Sequence, residues 1–230
     1  MKTFGVIAGR EIRLAFRNRA VLITGFIFAI WFPVMSAFGI AAGASGDAGI
    51  LAGGIAAITL PVGVFMGYIF CADAFLREKR DGTIETLLCT PISLRRLWEG
   101  KAVGVAVPAY LATLLSASVT IAVVSSLTGA RIVIEPLLLL HITVVIPVWI
   151  IAAAGLIGAA QLALGMRENQ ILGFVLIFGF IFLIIGLQEA APGLSPMAEG
   201  ILAAAGIALV ALARFIAGRV TKERIVLTIP

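Results

Sequence analysis

Apolar residues form six long runs along this chain, separated by short polar segments. The runs cover roughly residues 20–42, 50–75, 102–127, 136–164, 171–187 and 201–217. An α-helix needs about 20 apolar residues to cross a bilayer, so each run is near the length of one transmembrane helix. The pattern predicts an all-α polytopic membrane protein with six transmembrane helices, in which residues 1–230 form a single transmembrane domain.

The composition supports this interpretation. The 230 residues are 61% hydrophobic and 13% charged, with a mean hydropathy of +1.15. A soluble domain of this length contains a much larger share of charged residues. Because six spans use up most of the chain, no separate globular domain is expected.

Basic residues divide unevenly between the two sides of the predicted bundle. Sixteen of the 17 Lys and Arg residues lie in the N-terminal segment, the 76–101 loop, the 166–169 turn and the C-terminal end, whereas Arg131 is on the opposite side. Lys and Arg in short loops favour the cytoplasmic side. We therefore expect a multi-pass protein of the cell membrane with both termini in the cytoplasm. The net charge of +5 reflects this rule, and no nucleic-acid partner is expected.

Residues 3–18 are predicted to form an amphipathic helix. The opposite faces of this helix are basic and apolar. The basic face contains Arg10, Arg13 and Arg17, and the apolar face contains Phe4, Ala8, Ile12, Ala15 and Phe16. Such a helix suits the interface of the lipid bilayer, with its arginines at the phosphates. A solvated lead-in to the first span is the alternative.

No catalytic or nucleotide-binding motif is present. The chain lacks GxxxxGK[ST], HExxH, GxSxG and GxGxxG, and one His with two Cys makes a zinc site unexpected. We expect His141 to be a hydrogen-bonded packing residue, and Asp73 to pair with Arg77 four residues later. The sequence thus predicts no enzyme, no metal site and no ion-coupled carrier.

The 76–101 segment is the one long polar stretch and the candidate functional region. Asp81-Gly82-Thr83 can turn the chain and cap a short helix, which Thr90-Pro91 then ends. Its apolar face would contain Ile84, Leu87 and Leu88. A short cytoplasmic helix of this kind suits a groove on a soluble partner, and a self-packed loop on the membrane surface is an equal alternative.

Ten residues of this segment form a spaced motif: Glu78, Asp81, Gly82, Thr83, Ile84, Glu85, Leu87, Leu88, Thr90 and Pro91. The motif resembles the cytoplasmic loop of type-2 ABC exporter permeases, where an acidic residue precedes (E/D)-G-T-(L/I)-E-x-L-L-x-(S/T)-P between the second and third spans. The helix with Arg10, Arg13 and Arg17 is similar to the N-terminal elbow helix of that family.

The resemblance implies a mechanism that is divided between chains. Two six-span subunits, as a homodimer or a related heterodimer, would sit above two separate ATPase subunits that bind ATP and Mg. The short helix near residues 83–89 would be the coupling helix. No cofactor would be bound by this chain. The implied function is the permease subunit of an ATP-driven exporter, and the alternative is a non-transporting membrane scaffold or assembly factor that docks a soluble partner.

Two further expectations follow from the resemblance. The segment 188–200, with Pro192 and Pro196, would form short re-entrant helices between the fifth and sixth spans. Compact members of the family are associated with lipid-linked glycans, drugs, ions and haem-related compounds, and the residues do not choose among these cargoes.

Overall fold

The computed structural model describes residues 2–43, 48–82, 93–129, 135–221 and 225, and the regular structure within them is helical. The helices are α1 (Lys2–Arg17), α2 (Arg19–Gly43), α3 (Ala48–Arg80), α4 (Leu94–Thr128), α5 (Pro136–Ala163), α6 (Met166–Ala190) and α7 (Pro196–Arg219). Six helices, α2 to α7, are long and apolar enough to cross a membrane. The predicted all-α, six-span fold class is confirmed.

Helix α5 lies at the centre of the bundle and packs against α3, α4 and α7. The indole groups of two tryptophans connect α4 and α7 to this helix through hydrogen bonds. Trp149 Nε1 donates to the carbonyl of Leu202 on α7 at 2.9 Å, and Trp98 Nε1 on α4 donates to the carbonyl of Gly155 at 2.9 Å. A buried indole needs such an acceptor, so these two hydrogen bonds fix the positions of α4 and α7 against the central helix.

A π-helical segment, His141–Val145, interrupts α5 just before Pro147. In a regular α-helix, the ring of Pro147 would clash with the carbonyl of Thr143, and no N–H would be available to bond that carbonyl. The wider π turn accommodates this mismatch. It also leaves His141 fully buried against α7.

The connection between the last two helices is shorter than the sequence suggested. Helix α6 continues to Ala190 and α7 begins at Pro196, so residues 191–195 connect them, and the structure describes no re-entrant helix over 188–200. Pro196 occupies the first position of α7. An N–H at that position would have no acceptor within the helix, so a proline, which lacks the N–H, is tolerated there. Ser195 Oγ caps the helix by accepting from Ala198 N at 3.1 Å. Pro196, which had indicated a loop, instead begins a helix.

Candidate functional site

Helix α1 and the adjoining ends of α3 and α4 meet at one end of the bundle, together with the turn between α5 and α6. We call this region the basic end. Helix α1 lies along α4, and two glycines of α4 allow a close approach. A Cβ on Gly104 would lie 2.8 Å from Glu11 Cβ and 2.9 Å from the Ala8 carbonyl oxygen, and one on Gly100 would lie 2.8 Å from Ile7.

The buried face of α1 differs slightly from the predicted apolar face. Ile7, Ala8, Glu11 and Ala15 are buried, whereas Phe4 remains exposed. Helix α1 therefore packs against protein along this line, whereas the larger side chains of Phe4 and Phe16 are exposed. The buried line includes the carboxylate of Glu11, and a buried negative charge requires a nearby positive charge.

Three buried charged side chains from three helices meet here. Glu11 of α1 is 2% exposed, Glu78 of α3 is 5% exposed, and Lys101 of α4 is 1% exposed. Lys101 Nζ lies 2.9 Å from Glu78 Oε2 and 3.4 Å from Glu11 Oε1, and it donates to the Ala74 carbonyl at 3.0 Å. Buried charges are costly unless they are paired and hydrogen-bonded, and this ammonium group has partners on both other helices.

Two arginines complete what we call the charge cluster, which consists of Arg10, Glu11, Arg77, Glu78 and Lys101. Arg10 donates to Glu78 Oε1 at 3.2 Å. Arg77 lies 3.9 Å from Glu11 Oε2. Both arginines are more exposed than the three buried groups, so the cluster extends from the interior of the bundle to its surface.

Asp73 lies at the edge of this cluster and pairs with Arg77, and this pairing was predicted from the sequence. Its Oδ2 accepts from Arg77 at 2.9 Å, which confirms the expected pairing between residues four apart. Its Oδ1 accepts from Asn18 Nδ2 at 2.9 Å. Since Asn18 separates α1 from α2, Asp73 also fixes the bend between those two helices.

Lys79 connects the end of α3 to the turn between α5 and α6. Its Nζ donates to the Leu164 carbonyl at 2.6 Å. Asn169 Nδ2 donates to that same carbonyl and to the carbonyl of Gln161, each at 3.1 Å. The end of α3 is thus bonded directly to α1, α4 and the α5–α6 turn.

The structure describes six of the thirteen residues predicted to form functional segments. Glu78 lies in the last turn of α3 and belongs to the charge cluster, while Asp81 and Gly82 form the turn that follows, with φ of 68° at Gly82. The predicted coupling-loop residues outside the described ranges are Thr83, Ile84, Glu85, Leu87, Leu88, Thr90 and Pro91. Of the predicted interfacial arginines, Arg10 reaches the cluster, and Arg13 and Arg17 are exposed on α1.

Comparison with known protein families decides the class. The family model named CcmB, described as CcmB protein, matches residues 1–222. The chain belongs to the CcmB family. This family consists of membrane subunits of ABC transporters, so the chain is a permease subunit and its family implies a separate ATPase partner. No curated protein compared with the chain matches it.

Two members of the charge cluster, Glu11 and Lys101, were not among the functional residues predicted from the sequence of this CcmB family permease. Glu11 lies among arginines and reads as part of a solvated face, although it is four residues before the buried Ala15. Lys101 reads as the basic flank of a span. The signal for Glu11 was its spacing, because a residue three positions after Ala8 and four before Ala15 lies on the same side of a helix as both of them. A lone acid in that position requires a buried cation.

Proposed function

We propose that this chain is the membrane-spanning subunit of a type-2 ATP-driven exporter, and that the loop between α3 and α4 receives the movement of a separate ATPase subunit. The charge cluster is the observation that supports this proposal. It joins both ends of the proposed coupling loop to each other and to α1.

The position of the cluster relative to the loop explains how movement would be transmitted. The loop leaves α3 three residues after Glu78 and enters α4 at Leu94, less than two turns before Lys101. Glu78 and Lys101 are 2.9 Å apart. Separating a buried ion pair is costly, about 3–5 kcal/mol when one partner is lost. A push on the loop would therefore move α3 and α4 together, and Glu11 would pass that movement to α1.

A second permease copy would complete the transport pathway. Helices α2 and α6 expose broad apolar faces, including Phe26 and Trp31 on α2 and Phe174 and Phe182 on α6. Large exposed apolar surfaces indicate contact with lipid or with another subunit. The proposed assembly has two copies in the cell membrane, with the termini and the coupling loop in the cytoplasm.

Haem is the cargo that we propose to test first, because the CcmB family is associated with haem export. The mostly aliphatic interior of the helices is compatible with a hydrophobic or amphipathic compound. Transport would be measured with haemin in proteoliposomes that contain the permease and its ATPase.

The decisive experiment compares two variants in the purified permease–ATPase complex. Glu11→Gln removes the charge that connects α1 to Lys101 and leaves the Glu78–Lys101 pair in place. We expect the complex to form, with cargo-stimulated ATP hydrolysis reduced about fivefold or more, equivalent to about 1 kcal/mol of lost coupling. Arg214→Gln, which removes an exposed pair with Glu99 from outside the 76–101 segment, is the matched control and should behave like the wild type.

Three results would contradict the proposal. The first is failure of any ATPase to co-purify with the chain. The second is full stimulation in Glu11→Gln. The third is ATPase binding without transport of any cargo tested, which would favour a membrane scaffold instead.

A further inference from the structure

A small polar cavity lies at the end of the bundle opposite the basic end. Its volume is about 40 Å³, and its lining includes Gly53 and Ala57 of α3, His141 of α5, Gln188 of α6, Gly193 of the α6–α7 connection and Glu199 of α7. A space of this size holds a water molecule or a group of similar size, such as an ammonium. The π-helical segment begins at His141, and such irregularities are frequent at functional sites.

A buried histidine and a buried carboxylate meet in the wall of this cavity. His141 is 0% exposed and Glu199 is 4% exposed. His141 Nδ1 lies 3.0 Å from Glu199 Oε1 and 2.9 Å from Oε2. Carboxylate oxygens accept hydrogen bonds and do not donate them, so Nδ1 carries the ring proton and donates to Glu199.

The second ring nitrogen of His141 has no hydrogen-bond partner among the residues that the structure describes. Nε2 is buried and makes no hydrogen bond within the described part of the chain. With the proton on Nδ1, Nε2 presents a lone pair that can accept a hydrogen bond. A buried acceptor without a donor is unfavourable, so a donor that enters the cavity would be bound there.

The surroundings indicate which kind of donor fits. The cavity shares Gly53, Ala57, Gln188 and Gly193 with a groove of about 740 Å³. Glu189 also lines the groove, and among the described lining residues of both spaces there is no Lys or Arg. The site is therefore negatively charged, which favours a cation.

The shape of the groove indicates the rest of the ligand. Its walls include Ile50, Ile185 and Leu194 together with several glycines, so they suit an apolar body. A bare metal ion fits less well, because no group of three or more His, Cys, Asp or Glu side chains surrounds a common point within the described ranges. The ligand should bring its own N–H donor and its own apolar part.

We propose that this cavity binds the ammonium group of an amphipathic amine. The ammonium N–H donates to His141 Nε2, its charge lies beside Glu199, and its apolar body occupies the groove. Such a group can come from a free amine or from the headgroup of an aminophospholipid. This inference does not depend on the proposed coupling to an ATPase.

The test uses the full chain in nanodiscs of phosphatidylcholine, whose headgroup has no N–H donor. Calorimetric titration would compare octylammonium with octyltrimethylammonium, which has the same charge and apolar chain but no N–H. Empty nanodiscs are subtracted. We expect saturable binding of octylammonium and at least about tenfold weaker binding of the trimethyl compound, the ratio expected for a hydrogen bond to a charged group.

Variants locate the site. His141→Phe should weaken octylammonium binding about tenfold or more, whereas Thr143→Val, an exposed position of the same π-helical segment, should bind as the wild type does. The comparison of the two ligands on the wild type stands even if His141→Phe does not fold.

Phosphatidylethanolamine in the nanodisc identifies the source of the amine. If it competes with octylammonium, the ligand is the lipid headgroup. If it does not compete, the ligand is a free amine.

Equal binding of the two ligands, or unchanged octylammonium binding in a folded His141→Phe variant, would overturn the proposal and leave the cavity to water. Binding of haemin with a Soret shift that requires His141, in the absence of octylammonium binding, would also overturn it. That result would assign the lone pair of Nε2 to a metalloporphyrin instead.

Discussion

At the residue scale, single side chains account for the two polar regions of this apolar bundle. Glu11, Glu78 and Lys101 hold three helices together at the basic end, and His141 with Glu199 joins α5 to α7 at the opposite end. In each region, the burial of a polar side chain is compensated by partners that are distant in the sequence: Glu11 and Glu78 for Lys101, and Glu199 for His141. Loss of a single partner should therefore have a large effect.

The first residue-scale prediction concerns Lys101→Met, which keeps an unbranched side chain but removes the ammonium. Glu11 and Glu78 would then be buried beside each other without their shared cation, and we expect a loss of stability of about 3–5 kcal/mol. Thermal unfolding in detergent would measure the effect. Arg95→Met is the control, because Arg95 forms an exposed pair of the kind that contributes about 0.2–1 kcal/mol. Equal melting temperatures for the two variants would show that the cluster does not stabilise the fold.

The second residue-scale prediction concerns the contact of α1 with α4. Gly104→Ala places a Cβ 2.8 Å from Glu11 Cβ and 2.9 Å from a backbone oxygen, so α1 must shift. We expect a destabilisation of about 1–3 kcal/mol from overpacking. Gly9→Ala, where nothing lies within 4 Å, should be neutral or stabilising because alanine favours helix. The thermal unfolding of both variants checks this, and an unaffected Gly104→Ala variant would contradict the packing.

At the scale of elements, helix ends were harder to predict than helix existence. The last two helices extend further toward each other than hydropathy suggested, since Gln188 and Glu199 lie within helices rather than in a loop. Hydropathy marks where a segment becomes polar, whereas a helix continues for as long as its backbone is bonded or capped. The polar ends of α6 and α7 are what line the cavity near His141.

The element-scale prediction concerns the start of α7. Ser195→Ala removes the oxygen that accepts from Ala198 N at 3.1 Å, and loss of such a cap costs about 1 kcal/mol. For a chain of this size, that corresponds to a fall in melting temperature of about 2–4 °C. Ser36→Ala, whose hydroxyl bonds to a carbonyl within α2 at an exposed position, is the control. A similar fall in both variants would indicate a nonspecific effect of losing a hydroxyl.

At the scale of the whole molecule, the distribution of charge predicts the orientation. The basic end contains α1, the ends of α3 and α4, and the α5–α6 turn, and most Lys and Arg residues lie in these segments. The positive-inside rule places such segments in the cytoplasm. The residues between α6 and α7 should face the opposite side.

The whole-molecule prediction tests that orientation with single cysteines in a background of Cys71→Ser and Cys89→Ser. A membrane-impermeant maleimide should label Asp81→Cys in inside-out vesicles and Pro192→Cys in right-side-out vesicles. Both positions lie in turns between helices, so the label should reach them. Labelling of both cysteines from the same side would contradict the six-span topology.

Much of the architecture could be predicted because it depends on local properties of the chain. Each span is recognised by its own length and apolar content, and Asp73 and Arg77 meet because residues four apart share a face of one helix. The proposed coupling loop was also located locally, from a motif of consecutive residues. The role of the seven motif residues within 83–91 remains a prediction.

The amino-acid sequence by itself determined the six membrane-spanning helices and the region with a family motif, because hydropathy and spacing are properties of neighbouring residues. The tertiary structure decided which charges are paired. Glu11 meets Lys101, and His141 meets Glu199, only when helices far apart in the chain pack side by side. Helix packing depends on close approaches such as that of α1 to Gly104, and no local pattern specifies which helix fills that space.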